Sequence, residues 1–354
     1  MKSKVYFIKL EDGASPDKQA LAMEKIYNFA DVSSIISEKD FVAIKIHVGE
    51  KGNITHMKPE PVKVIVDKVK EKGGLPFLTE TSTLYKGERS NAVNHILYAH
   101  EIGFGIDKIG APFIMSDGLL GNTEGSVTIN GELNEKVHIA KEIIGVDVLI
   151  GVSHATGHIV TGLGACIKNI GMGLASRKGK RKQHSAMKPS IKETCVFCKK
   201  CMQWCPEDAI IEKEKKAWII QEKCVGCGEC LSVCRYDSVS FDWGAEAGFT
   251  QKCMTEHALG AVKHKKSFFF NLMVDMTKDC DCWGKIQEKL IPDIGILASS
   301  DPVAIDMATL ELTARFNKST LAQIAYDNQN AMIQIEHGVK IGLGVKEYEL
   351  VNVE

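Results

Sequence analysis

One duplicated cysteine pattern constrains this chain more than any other feature. C-V-F-C-K-K-C-M-Q-W-C, from Cys195 to Cys205, has the spacing C-x2-C-x2-C-x3-C. C-V-G-C-G-E-C-L-S-V-C, from Cys224 to Cys234, repeats it position by position, 29 residues later. Each copy is too short to bury a core of its own. Three thiolates two residues apart wrap a tight loop around one face of a cubane cluster. The fourth, three residues further on, points away and reaches a second cluster. The spacing therefore assigns one [4Fe–4S] cluster to Cys195, Cys198, Cys201 and Cys234, and another to Cys224, Cys227, Cys230 and Cys205. Zinc, which favours paired C-x2-C or Cys/His sets across a longer loop, fits poorly. Gly226 and Gly228 let backbone amides approach cluster sulfurs. With four thiolates on each cluster, no coordination position is left open, which suits an electron wire better than a catalytic centre.

Here the segment resembles the bacterial two-[4Fe–4S] ferredoxins over about fifty residues. Pro206 follows Cys205 as in that family, whereas Arg235 takes the corresponding place after Cys234. Composition agrees with a reducing compartment. Twelve cysteines in a chain without a signal-peptide pattern or an apolar run of membrane-spanning length point to metal or redox chemistry in the cytoplasm. A net charge of -1 gives no reason to expect nucleic-acid binding.

On both sides of this segment the chain reads as alternating strands and helices. Phe41–Val48 is a β-branched run, Pro59 and Pro61 open a helix with the apolar stripe Val62, Ile65, Val66 and Val69, and Leu75–Thr81 is the next strand. A helix is expected over 91–101, a short helix around 136–143, and a buried strand over 146–152. The basic run Arg177–Lys182 has no apolar period and reads as a solvated loop, with docking of an acidic redox partner or an anionic substrate as the alternative. After residue 245 come the strands 267–274 and 294–298, then a helix capped by Asp301 with Pro302 at its first position. The expected fold is α/β: a mostly parallel sheet with helices on both faces, interrupted by a small ferredoxin-like α+β insert. Residues 1–188 and 245–354 would form one discontinuous domain, and 189–244 the insert.

A second group of residues falls where α/β sheets keep ligands, at the carboxyl ends of strands. His154 and His158 lie in the glycine-rich stretch S-H-A-T-G-H-I-V-T-G-L-G-A-C-I-K-N-I-G-M-G, with Lys168 as a cation for an anionic group. His47 ends an earlier strand. Cys280 and Cys282, in D-C-D-C-W, are not needed for the clusters and follow the strand 267–274, so they read as metal ligands or redox thiols, the alternative being a polar loop with incidental thiols. Cys166 and Cys253 read as core thiols. Neither a P-loop nor a dinucleotide fingerprint is present. Together with S-S-D-P-V-A-I-D, these stretches resemble the iron–sulfur-associated proteins grouped as domain of unknown function 362. That resemblance implies one domain on both sides of the insert and no established reaction.

The functional expectation is an electron-transfer protein coupling two [4Fe–4S] clusters to a ligand or metal site, with a redox partner protein or a small-molecule substrate. A metal or cluster carrier using Cys280 and Cys282 to hold an additional metal ion is the alternative. Enzyme activity and oligomeric state stay open. The cation of Arg235 beside Cys234 favours the reduced, more negative state of the cluster it helps hold. Arg235→Pro should therefore titrate at a more negative potential in an anaerobic redox titration, and an unshifted curve would end this reading.

Overall fold

Period-two burial runs along the central strands. Val42 and Ile44 face one side of the sheet and Ala43 the other, and Val148, Ile150 and Val152 oppose Leu149 in the same way. Phe268, Phe270 and Leu272 likewise oppose Phe269 and Met273. Both sets are buried, so both faces need a cover. The computed structural model describes residues 2–85, 87–185, 188–205, 207–224, 226, 228–241 and 247–354, and helices supply both covers.

The strands of the main sheet are β1 (Ser3–Lys9), β2 (Phe41–Lys45), β3 (Leu75–Glu80), β4 (Phe113–Met115), β5 (Val148–His154), β6 (Lys266–Met273), β7 (Gly295–Ser299) and β8 (Tyr348–Asn352). Their spatial order is β8-β1-β7-β6-β5-β2-β3-β4. All neighbours are parallel except that β7 runs antiparallel to both β1 and β6. Helices α1 (Pro16–Phe29) and α2 (Pro59–Glu71) cover one face through Met23, Ile26, Ile65 and Val69. Helix α3 (Ala92–Ala99) continues into one π-helical turn, His100–Phe104, which Gly103 ends in a left-handed conformation. Helices α4 (Cys166–Gly171), α6 (Ala247–Val262) and α7 (Pro302–Asn317) cover the other face through Ile167, Met254, Ala258 and Ala304, with α5 (Arg177–Gln183) between α4 and α6 in the chain. The α/β architecture expected from strand–helix alternation is the one observed. Asp301 caps α7 by accepting from Val303 N–H (2.9 Å) and Ala304 N–H (3.0 Å).

Two local expectations are corrected. Residues 136–143 are mainly a strand, Lys136–Ala140, paired antiparallel with Glu124–Thr128, and only then a helical turn, Lys141–Ile144. Alternation of Val137 and Ile139 toward the core wins over the short helical pattern. The basic run 177–182 is no solvated loop but helix α5. Ser176 caps it by accepting from Gly179 N–H. Arg177 donates to the carbonyls of Thr83 (3.1 Å) and Ser90 (2.9 Å), and buried Lys180 donates to Thr81 Oγ1 and to Ala175 O. Cations with such acceptors can leave water.

The cysteine-rich segment is a small α+β unit. Pro189–Ile191 pairs antiparallel with Val239–Phe241, so its two ends meet. Between them lie the turns of helix Lys200–Gln203 and Glu229–Val233 and the hairpin Ile210–Lys213/Lys216–Ile219. It has its own apolar cluster around Ile210, Ala217, Ile219 and Val239. Among the described residues no helix is long and apolar enough to cross a membrane.

Parallel pairing of β6, β5, β2 and β3 brings their carboxyl ends to one edge. The segment after β6 is drawn onto the end of β5 at Gly157, whose N–H donates to Thr277 O (2.9 Å). A Cβ on Gly157 would sit 2.2 Å from Lys278 O and 2.3 Å from Ala325 Cβ. Gly157→Ala should therefore lower stability by about 1–3 kcal/mol, read as a lower urea midpoint. Gly248→Ala, in α6 with its nearest neighbour at 3.7 Å, should leave the midpoint unchanged or raise it.

Candidate functional site

At that edge the chain buries a group of charges and thiols. Asp281 anchors it. Its carboxylate lies 2.8 Å from His154 Nδ1, and its carbonyl accepts from Glu50 N–H (2.8 Å). His154 Nε2 faces the carbonyl of Val274 at 2.6 Å. Both ring nitrogens thus face acceptors, which assigns the imidazolium. Burial opposes both charges, but each partner outweighs it, raising His154 and lowering Asp281.

The residues flanking this anchor are Cys280 and Cys282. Cys282 Sγ lies 3.3 Å from His47 Nε2 and 3.7 Å from Lys168 Nζ. His47 Nδ1 accepts from Gly49 N–H and Arg89 Nη1–H, both at 3.2 Å. With Nδ1 occupied as an acceptor, Nε2 carries the proton and donates to sulfur. Burial and Arg89 favour the neutral ring, while Cys282 and Glu80 pull its pKa upward on balance. The two donors at Nδ1 decide for the neutral Nε2–H tautomer. The hydrogen bond from Cys280, then Lys168 and His47, hold Cys282 well below the usual thiol range against burial. The same hydrogen bond and burial push Cys280 well above it. Of the two, Cys282 is the one that ionises more readily, with the His47 Nε2–H and the Lys168 ammonium facing its sulfur.

A second ring of partners holds His47 and the rim. Glu80, at the end of β3, accepts from Val48 N–H (2.5 Å) and faces Arg89 Nη1 at 3.4 Å. Arg89 also reaches Glu50 (3.4 Å) and Tyr85 Oη (2.5 Å), and Tyr85 Oη lies 3.4 Å from the Cys282 carbonyl. Burial opposes the Glu80 carboxylate, but the Lys45 ammonium above all holds it well below its usual range. Lys45, buried and bonded to Asn169 Oδ1 (2.8 Å) and Ile46 O, is lowered by burial to about 8. His158 Nδ1 accepts from Val160 N–H (3.2 Å) and Thr161 N–H (3.1 Å), while burial and Lys168 keep its ring neutral.

The structure thus brings together Cys280, Cys282, His47 and Lys168, with His158 close enough to feel Lys168 and Cys282. His154 serves the loop through Asp281 and not the sulfurs. Glu80, Arg89 and Tyr85 were not singled out from sequence. Glu80 closes the strand expected at 75–81 and could have been found by the rule that found His47. Arg89 and Tyr85 lie in a loop with no local signal. Cys166 and Cys253 are buried core thiols. Among the described residues no three His, Cys, Asp or Glu side chains are arranged as a metal site. A divalent ion at Cys282 would also have to share the sulfur with the Lys168 ammonium.

In the small unit, Cys195, Cys198, Cys201 and Cys234 line one cavity. Burial and the fields of Cys195, Cys198 and Cys234 raise the Cys201 thiol. Of the other four cysteines, Cys205, Cys224 and Cys230 pack in or against the unit's apolar cluster, and Cys227 lies outside the described residues. Backbone amides point at sulfur: Ala209 N–H at Cys205 (3.2 Å), Gly226 N–H at Cys224 (3.4 Å) and Ser238 N–H at Cys234 (3.3 Å). The four thiols of the first set share one cavity, and of them Cys234 has an N–H donor behind its sulfur.

The Asp281–His154 pair carries a signed pH dependence. The lowered Asp281 contributes stability above about pH 4, lost as pH falls through its folded value. The raised His154 contributes below about pH 6.5, lost as pH rises through its folded value. Asp281→Asn should thus cost most, about 3–5 kcal/mol, between these limits. Urea midpoints from pH 3 to 9 should show the gap to wild type narrowing on both sides.

The family model described as domain of unknown function (DUF362) matches residues 42–311. Two solved structures are similar at low identity. The lactate racemase apoprotein from Thermoanaerobacterium thermosaccharolyticum has a TM-score of 0.44 and 12% identity, with 89% of this chain and 58% of that chain covered. A structural-genomics protein from Thermotoga maritima has a TM-score of 0.43 and 11% identity, with 90% and 60% covered. This chain therefore spans about three-fifths of the length of these two proteins. No curated protein matches the sequence. With most of its main sheet and all of its small unit inside the matched range, the chain belongs to the DUF362 family.

Proposed function

We propose that this chain is an iron–sulfur electron-transfer protein whose small unit exchanges electrons with the thiol site at the sheet edge. The observation that carries the reading is the cavity shared by Cys195, Cys198, Cys201 and Cys234. Three of these come from the first motif and the fourth from the second, which is the exchange of ligands that two adjacent clusters require. Cys224, Cys227, Cys230 and Cys205 are assigned to the second cluster. When bound, such clusters supply single-electron oxidation and reduction. The N–H donors at Cys205, Cys224 and Cys234 stabilise charge on sulfur and would raise the reduction potential.

Contact between the small unit and the stretch just after α5 supports the coupling. A Cβ on Gly226 would lie 2.2 Å from Ser185 O, so the loop after Cys224 rests against the chain just beyond α5. The preceding residue, His184, is lowered to about 4 by burial and by Lys168, the lysine that faces Cys282. One short stretch thus adjoins the cysteine loop on one side and the thiolate's cation on the other. The partner, a redox protein or a small molecule, takes or gives electrons at one of these ends. Such thiol and cluster chemistry suits a reducing cytoplasm.

The metal-carrier alternative has the less support, because the Lys168 ammonium competes with any cargo ion at Cys282. Iron and sulfide counting on anaerobically purified protein tests both readings. About eight irons are expected in wild type and about four in Cys234→Ala. Zinc in place of iron, or an unchanged count in Cys234→Ala, would overturn the cluster assignment. Cys280→Ala/Cys282→Ala should keep all its iron, and loss of a further stoichiometric metal from it would favour the carrier.

A further inference from the structure

We infer that Cys280 and Cys282 are a dithiol–disulfide couple that reduces a disulfide substrate, with Cys282 as the attacking thiolate and Cys280 as the resolving thiol. The electron supply rests on the function proposed above, but the couple itself rests on geometry. Cys282 is partly exposed beside Trp283, which is 51% exposed, whereas Cys280 is buried behind it. An incoming disulfide therefore meets Cys282 first. Three donors, His47 Nε2–H, the Lys168 ammonium and the Cys280 thiol, converge on its sulfur. Structural duty does not account for them, because Asp281 already anchors the loop through both its carboxylate and its carbonyl.

The chemistry balances. Cys282 S⁻ attacks one substrate sulfur, the substrate S–S bond breaks, and the departing thiolate takes the Cys280 proton. Cys280 S⁻ then attacks Cys282 Sγ, forming the Cys280–Cys282 bond and releasing the second substrate thiolate, which takes a proton from solvent. The substrate gains two electrons and the dithiol loses two. Two single electrons from the clusters and one proton from solvent then cleave the bridge and restore the Cys282 thiolate and the Cys280 thiol. A disulfide across one intervening residue is strained, and strain makes it easier to reduce, as a couple in turnover requires. The ammonium of Lys168, faced by Asp281 and His158, sets the field at the attacking sulfur together with His47, which Arg89 and Glu80 flank.

The test uses the full chain, purified anaerobically, with residue-resolved mass spectrometry. Iodoacetamide should alkylate Cys282 at a rate nearly flat from pH 6 to 8, where an ordinary thiol rises about tenfold per pH unit. Lys168→Met should bring the slope back. Hydroxyethyl disulfide should yield a Cys280–Cys282 bridge in wild type and a trapped mixed disulfide on Cys282 in Cys280→Ser. A steep alkylation profile for Cys282 in wild type, or no mixed disulfide in Cys280→Ser, overturns the inference. If these results are obtained on protein that binds no iron, the couple stands and the cluster reading fails. Full iron content with an inert pair overturns the couple alone.

Discussion

The buried ion pair between Asp281 and His154 is the interaction on which the rest of the site depends. His154 closes β5, and Asp281 sits in the loop after β6, its neighbour in the sheet. Their side chains are 2% or less exposed, so the pair is held by geometry and hydrogen bonds more than by bulk attraction. Removing either partner leaves a charge in an apolar wall, which makes the loop position all or none. Because Asp281 O also accepts from Glu50 N–H, the same residue ties β5, β6 and the loop after β2 together. Cys280 and Cys282, on either side of Asp281, have little freedom left.

Charge balance explains why so many ionisable side chains share one edge. A thiolate and a carboxylate, Cys282 and Glu80, are each faced by cations or N–H donors. Lys168 serves the sulfur, and Arg89 and Lys45 serve Glu80. Arg89 joins the two sets, because Nη1 reaches both Glu80 and the acceptor nitrogen of His47. Fixing Nδ1 as an acceptor forces the His47 proton onto Nε2, toward Cys282. A substitution at Glu80 would thus act on the thiol through Arg89 and His47, without touching it.

Much of this was readable in sequence, for physical reasons that differ by element. The buried strands read well because β-branched runs bounded by glycine leave few alternatives, and parallel order then puts their ends together. The histidines and thiols read as site candidates from strand ends alone. Loop partners such as Arg89 and Tyr85 did not, since their meeting with His47 and Cys282 is set by tertiary folding across long separations. Helix α5 is hidden in sequence because a run of cations looks solvated. What lets Lys180 be buried and Arg177 half-buried is a set of acceptors, Thr81 Oγ1 and the carbonyls of Thr83, Ser90 and Ala175, contributed mostly from far along the chain. The strand 136–140 was read as helix because five residues hold too little periodicity to separate the two.

Helix α5 also explains why the cysteine-rich unit is inserted where it is. Its first residue, Arg177, holds the loop that carries Tyr85 and Arg89, through Thr83 O and Ser90 O. Its far end runs into His184, near Lys168, and Ser185, against Gly226. The chain enters the small unit directly after that point and returns at α6, which packs on α4, the helix that carries Lys168. An insertion elsewhere on the sheet would leave the cysteine loops and the thiol site without a common neighbour. At this position one helix of seven residues braces the rim of the site and seats the unit beside it.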